Sequence, residues 1–250
     1  LFIVLFFGFR HPGLSKKILI SKQAWFLGLL MAGYFLLVVT AYQIAPVAEV
    51  AILTNTTPLF AIFYKRLKGL LITSKQVWGV LLGMIGVILV VISGTSSNPD
   101  SANSLHLIGD LMALIAGAAM AIYSIFYNTI SLVKKPSSQV ATFFTFLIGS
   151  LVSLFIIGMS DEMFHMKHLL DSNAIYFILA LGIFATLLPT LCYSYASSVL
   201  ASITVTSLRL LTPLFAAFLG ILFFNEIPNV LFWPGALILF IGLYLIIKEK

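Results

Sequence analysis

Long apolar runs separated by short polar segments are the main pattern of this chain. After a short apolar run at 1–9, they lie at 24–45, 46–64, 76–93, 107–130, 139–159, 173–197, 201–224 and 229–247. A helix needs about 20 such residues to cross a bilayer, and lone strands cannot satisfy their backbone hydrogen bonds in lipid. The pattern predicts an all-α, polytopic membrane helix bundle with eight full spans. Residues 1–9 are interpreted as the end of a further helix whose beginning is missing.

Two of these runs contain the same five residues, TPLFA, at 57–61 and again 155 positions later at 212–216. Each copy is followed by a tryptophan and by two glycines seven apart: Trp78, Gly79 and Gly86, and Trp233, Gly235 and Gly242. The repetition predicts an internal duplication. We expect an incomplete first repeat at 1–93, a Ser- and Asn-rich linker at 94–106 and a second repeat at 107–250.

The number and placement of charged residues support a membrane protein and predict the orientation of its spans. The chain is 61% hydrophobic and 9% charged, whereas soluble domains carry about 25% charged residues. Its net charge of +6 does not indicate nucleic acid, because twelve of the fourteen Lys and Arg residues fall in loops on one predicted side of the membrane. That side, with the C-terminus, is predicted to face the cytoplasm of a multi-pass cell-membrane protein. The spans with Pro58 and Pro213 then run in opposite directions, so the repeats are predicted to be inverted.

Taken together, these features resemble the drug/metabolite transporter superfamily of the EamA type. The resemblance rests on AEVAILTNTTPLFA and ASITVTSLRLLTPLFA, on Gly109-Asp110-Leu111 opening the second copy, and on the turn Asn225-Glu226 before a glycine-spaced helix. The turn glutamate is replaced by Leu70 in the first copy. The resemblance implies ten helices in two inverted five-helix repeats, of which the first helix is expected to be missing here and the second to be partial. It also implies a secondary transporter of small metabolites, more often an exporter.

Arg209 is the principal candidate for substrate binding. It lies about 12 Å inside its span by helical rise, where a charge costs at least ~2.5 kcal/mol. It shares a predicted helix face with Thr206 and Pro213. An anchor for a substrate anion is one interpretation, and a charge that pairs with carbonyl groups is the other. With Glu49, it would suit an amino-acid-like zwitterion.

The two prolines offer a second source of polar groups. A proline within a helix removes one backbone hydrogen bond and bends the helix. Pro58 is predicted to free the carbonyl of Thr54, beside Asn55, and Pro213 to free that of Arg209. These carbonyls would contribute to a site at the membrane midplane, unless the prolines only shape the helices for packing.

Other polar residues within the spans have alternative interpretations. Glu49 is predicted to couple transport to protons, to pair with Arg209, or to stabilise a helix start behind Pro46. Ser124 and Asn128 extend a small and polar helix face that would line a cavity. Tyr193 would stack on a ligand or anchor its helix at the interface.

Alternative functions remain at this point. One is a membrane protein that does not transport, such as a lipid-embedded enzyme or a scaffold; others are carriers for nucleotides, sugar phosphates or cationic drugs. We expect no enzyme, since no nucleotide loop, serine elbow or catalytic carboxylate pair is found. No cofactor and no metal are expected, because His165 and His168 lack further ligands. The expected partners are a small-molecule substrate and the lipid bilayer, with protons as a candidate coupling ion. The glycine face around Gly79 and Gly83 would form a homodimer or pack within the bundle.

Overall fold

The computed structural model describes residues 21–93, 104–159, 172–224 and 230–248, and every regular element in these ranges is helical. The elements in chain order are α1 Lys22–Ile44, α2 Val47–Thr54, α3 Thr57–Leu67, α4 Ser74–Ser93, α5 Ser104–Thr129, α6 Ser138–Met159, α7 Ser172–Ala180, a π-helical turn Leu181–Leu187, α8 Leu188–Val199, α9 Ser202–Leu208, a 3-10 turn Arg209–Leu211, α10 Thr212–Phe224 and α11 Phe232–Ile247.

Within these ranges, six stretches are helical, apolar and long enough to cross a membrane. They are Lys22–Ile44, Ser74–Ile92, His106–Thr129, Ser138–Met159, Ile175–Val199 and Ser202–Leu219. The prediction of an all-α polytopic membrane protein is therefore confirmed. At the predicted span 46–64 the chain forms two short helices instead of one unbroken helix. At the predicted span 229–247 the helix has 16 residues.

The π-helical turn interrupts the predicted span 173–197 just before Pro189. Proline has no N–H, so the regular hydrogen-bond ladder cannot continue through it. The N–H of Leu188 instead reaches back five residues to the carbonyl of Ile183. Local π-helical geometry thus absorbs the proline without ending the membrane-spanning segment.

The described chain divides into two compact units, and each contains parts of both predicted repeats. Unit 1 comprises Leu1–Gly33 and Phe126–Val199, and unit 2 comprises Tyr34–Ile125 and Leu200–Lys250. In unit 1, Gly28 of α1 lies so close to α6 that an added Cβ would stand 2.6 Å from the Cβ of Phe144. In the same unit, α8 and α6 are joined where the Thr142 hydroxyl donates to Ser194 Oγ at 3.3 Å.

In unit 2, α4 packs along α11 with its backbone almost in contact. A Cβ added at Gly79 would lie 2.7 Å from the Gly242 carbonyl oxygen, and one added at Gly86 would lie 2.7 Å from that of Gly235. Only glycine permits such an approach. The glycine face therefore packs within the chain, which occupies the surface considered above for a homodimer.

Candidate functional site

Both TPLFA segments lie at the restart of an interrupted helix in unit 2. In the first, α2 ends at Thr54, Asn55 and Thr56 form a turn, and α3 begins with Pro58 in its first turn. In the second, α9 gives way to the 3-10 turn Arg209–Leu211, and α10 begins at Thr212, directly before Pro213. Proline is favoured in the first turn of a helix, because the N–H groups there have no intrahelical acceptor. The duplication therefore places a helix interruption at matching positions, rather than two bends in continuous helices.

The carbonyl groups beside the first interruption are occupied by nearby side chains. The hydroxyl of Thr57 donates to the Thr54 carbonyl at 2.8 Å, and that of Thr56 donates to the Leu53 carbonyl at 2.6 Å. Asn55 Nδ2 donates to the Ala51 carbonyl at 2.7 Å. The prediction of a free Thr54 carbonyl is therefore wrong, because polar side chains of the same segment satisfy it.

The second interruption also satisfies the carbonyl that was expected to be free. The N–H of Thr212 reaches the Arg209 carbonyl, three residues back, in 3-10 geometry. The tighter turn also changes the helical register at Arg209. The predicted single face through Thr206, Arg209 and Pro213 is consequently interrupted. Thr206 is fully buried and its hydroxyl donates to the Ser202 carbonyl at 2.8 Å.

The first interruption is closed by packing. Thr54, Asn55 and Thr57 are 5%, 8% and 0% exposed, and Pro58 is buried as well. Helix α5 covers this turn with Gly117, where an added Cβ would lie 3.3 Å from Thr56 Oγ1 and 3.4 Å from the Thr54 carbonyl oxygen. The small-residue face of α5 thus covers the first interruption. The burial of Thr54, Asn55, Thr57 and Pro58 supports a structural role for these residues.

The second interruption carries a charge and is more open. Arg209 and Pro213 are half-buried and Thr212 is exposed. The adjacent Leu210 is fully buried and packs with Val87 and Leu239 in the contact between α4 and α11. A Cβ added at Gly83 would lie 2.7 Å from Leu210 Cδ1, so this leucine fills the gap that glycine leaves. Leu210 thereby fixes the 3-10 turn, while Arg209 beside it is half-buried.

The guanidinium of Arg209 contacts Tyr34, a residue that the sequence had not singled out. Arg209 Nη2 donates to Tyr34 Oη at 2.6 Å, and Arg209 Cζ lies 5.0 Å from the centroid of the tyrosine ring. A cation within about 6 Å of an aromatic ring is attracted by the ring quadrupole. The half-buried charge is therefore positioned by a hydroxyl and a ring from α1.

The polar residues of α5 and α9 form a buried contact in the same unit. The Ser202 hydroxyl donates to the Ser124 carbonyl at 3.4 Å. The hydroxyl oxygens of Ser124 and Ser207 are buried without a hydrogen-bond partner in the part of the chain that the structure describes. Ser124 is thus a buried residue of unit 2, and Ser207 joins it as a polar residue that sequence reasoning missed.

The remaining predicted residues lie elsewhere. Glu49 is in the first turn of α2 and its side chain is exposed; this position is typical of a carboxylate that stabilises a helix N-terminus. Asn128 and Tyr193 belong to unit 1 and are half-buried. His165 and His168 lie outside the described residues, as does the turn Asn225-Glu226.

Comparison with known proteins assigns the chain to a family. The EamA-like transporter family matches residues 1–92 and 107–248. A chloroplastic WAT1-related protein of Arabidopsis thaliana is 27% identical over 199 residues, which are 78% of this chain and 47% of that relative. The chain thus spans about half the length of this curated relative. A solved structure described only as the crystal structure of a protein has the same fold, with a TM-score of 0.74 at 18% identity over 98% of this chain and 82% of the other. Since the family match covers most of the sequence, this protein belongs to the EamA-like transporter family.

Proposed function

We propose that the protein is a secondary active transporter that moves a small zwitterionic metabolite, such as an amino acid, out of the cell across the cytoplasmic membrane. The observation that carries the proposal is Arg209, a half-buried charge in a helix interruption within the membrane. Charged residues within membrane spans are costly and generally serve transport or binding. Interrupted helices near the midplane are the usual binding elements of secondary transporters.

Arg209 supports a carboxylate as the recognised group. A guanidinium presents several N–H donors in a plane, which matches the two oxygens of a carboxylate. A sugar phosphate would satisfy the same donors and is the second anion class to include in a screen. Cationic drugs are disfavoured, because like charges repel inside a low-dielectric site.

Alternating access is the proposed mechanism. Interrupted helices that face each other in inverted repeats allow one part of a carrier to move against the other around a fixed site. The packing of α3 against α9 brings the helices that adjoin the two interruptions together in unit 2. Ala61 and Ile203 are both buried in this contact. The proposed driving force is a proton or substrate gradient.

The test is transport by the purified full chain in proteoliposomes. Radiolabelled L-amino acids, a nucleoside, a quaternary ammonium compound and a sugar phosphate are compared by counterflow, in which internal unlabelled substrate drives uptake of labelled substrate. We expect uptake of at least one amino acid and its loss in Arg209→Ala. Hydrogen bonds to charged groups contribute about 1.5–3 kcal/mol, so the apparent affinity should fall at least about tenfold.

Arg66→Ala is the matched control, since Arg66 is exposed near the end of α3. It should transport as the unchanged protein does. Direction is measured with a gradient imposed from either side of oriented vesicles, and export predicts faster flux outward. Normal transport by a folded Arg209→Ala protein would contradict the proposed role of Arg209, and transport of the quaternary ammonium compound alone would contradict the substrate class.

A further inference from the structure

The contact between Tyr34 and Arg209 has a definite direction. A guanidinium has only N–H donors, so in the 2.6 Å hydrogen bond the tyrosine oxygen is the acceptor. The hydrogen of the tyrosine hydroxyl must then point away from Arg209. No hydrogen bond donated by this hydroxyl is found in the part of the chain that the structure describes.

The result is a pair of neighbouring groups that offers hydrogens to a ligand. Arg209 supplies positive charge, and Tyr34 supplies a hydroxyl hydrogen. The guanidinium polarises this hydroxyl because it donates a hydrogen bond to the hydroxyl oxygen. Hydrogen bonds in a chain strengthen one another in this way. A ligand oxygen carrying negative charge is the complement of such a pair, whereas an amide nitrogen would bring its own hydrogens against the hydroxyl.

The sequence distance between the two residues makes the pair a feature of the fold. Tyr34 lies on α1 and Arg209 is 175 residues away, in the 3-10 turn. Leu210, anchored between α4 and α11, holds the arginine end of this contact. At the tyrosine end of the contact, the rings of Tyr34 and Phe35 pack edge to face, with 5.3 Å between their centroids.

We propose that Tyr34 determines specificity in the substrate site, with its hydroxyl donating a hydrogen bond to the carboxylate that Arg209 attracts. The assignment rests on the proposed function for its physiological ligand. It adds the residue that distinguishes an acid from the corresponding amide.

The experiment uses benzoate and benzamide as a matched pair of probes, so it does not depend on the natural substrate. Purified full-length protein is treated with phenylglyoxal, which modifies arginine side chains, and modification of Arg209 is followed by mass spectrometry. The exposed Arg66 is the internal reference in every sample. The quantity measured is the concentration of probe that halves the modification rate of Arg209.

We expect benzoate to protect Arg209 and benzamide to protect it poorly. Tyr34→Phe keeps the ring and removes the hydroxyl, so the half-protecting benzoate concentration should rise about tenfold, while that of benzamide stays the same or falls. Tyr244→Phe is the control, because Tyr244 is a tyrosine of α11 whose ring contacts a different cation, Lys248, at 5.2 Å from its centroid. It should behave as the unchanged protein does.

Each other outcome has a definite meaning. Failure of benzoate to protect Arg209 in the unchanged protein overturns the inference. An unchanged half-protecting benzoate concentration in Tyr34→Phe also overturns it, even if Arg209 is modified faster in the absence of probe. This result would indicate that Tyr34 only holds the arginine in place. An equal rise for benzoate and benzamide also overturns it. If Arg209→Ala loses transport but Tyr34→Phe does not change protection by benzoate, the proposed function stands and the inference about Tyr34 fails. If Tyr34→Phe weakens protection by benzoate but Arg209→Ala transports normally, only the proposed function is contradicted.

Discussion

The two helix interruptions share their backbone design and differ in their polar groups. Each ends a short helix, turns, and restarts with Thr-Pro in the first turn of the next helix. At the first, Thr54 is 5% exposed and the turn is covered by Gly117 of α5. At the second, the matching position is the half-buried Arg209, in contact with Tyr34.

This difference shows how a duplicated element takes on two roles. The first interruption satisfies its carbonyl groups with its own side chains and is sealed, so it serves packing. The second satisfies its carbonyl by 3-10 geometry, and we propose the side chain of Arg209 as its recognition group. Under this proposal, recognition belongs to the second TPLFA segment alone, whereas both segments keep the same helix interruption.

The largest effect is expected when the charge is moved to the sealed interruption. Thr54→Arg places a guanidinium at a position that is 5% exposed and closely covered by Gly117, and a charge in the membrane costs at least ~2.5 kcal/mol. We expect loss of folded protein, measured as monodisperse yield in detergent. The reverse change, Arg209→Thr, should retain the wild-type yield, because it removes a buried charge from a more open turn. Equal yields for the two variants would remove the proposed distinction.

A smaller effect separates the threonines that begin α3 and α10. Thr57→Val is nearly isosteric and removes the hydroxyl that donates to the buried Thr54 carbonyl. An unsatisfied buried group costs about 1–3 kcal/mol, so the free energy of unfolding should fall by that amount in a denaturant titration. The equivalent change, Thr212→Val, affects an exposed residue and should alter it by less than about 0.5 kcal/mol. A larger loss for Thr212→Val would indicate that the second interruption depends on side-chain capping too.

Much of this architecture follows from the sequence, because apolar length, repeated TPLFA and proline position are local signals. The prolines lie where both helices are interrupted, although the sequence predicted bends there. The predicted free carbonyl groups were wrong. The hydroxyls of Thr56 and Thr57 and the 3-10 turn at Arg209 satisfy the carbonyl groups that lose a helical partner near the prolines. Those choices depend on rotamers and local geometry, which the residue order does not specify.

Tyr34 is the clearest example of a proposed site residue that sequence reasoning missed. It lies in an apolar span, where tyrosine more often packs or anchors a helix, and its partner is 175 residues away. Arg209 was identifiable because charge is rare in such segments. The contact between the two residues depends on the packing of helices far apart in sequence, so no local sequence pattern predicts it.

The most direct measurement compares the substrate affinity of two neutral variants in proteoliposomes, one from each interruption. Arg209→Gln removes the charge of the second, and Thr54→Val removes a hydroxyl of the first that already donates within its own helix. Competition by unlabelled substrate should show at least about a tenfold loss of affinity for Arg209→Gln and less than about a twofold change for Thr54→Val. Equal losses in both variants, or a larger loss in Thr54→Val, would contradict the assignment of recognition to the second interruption.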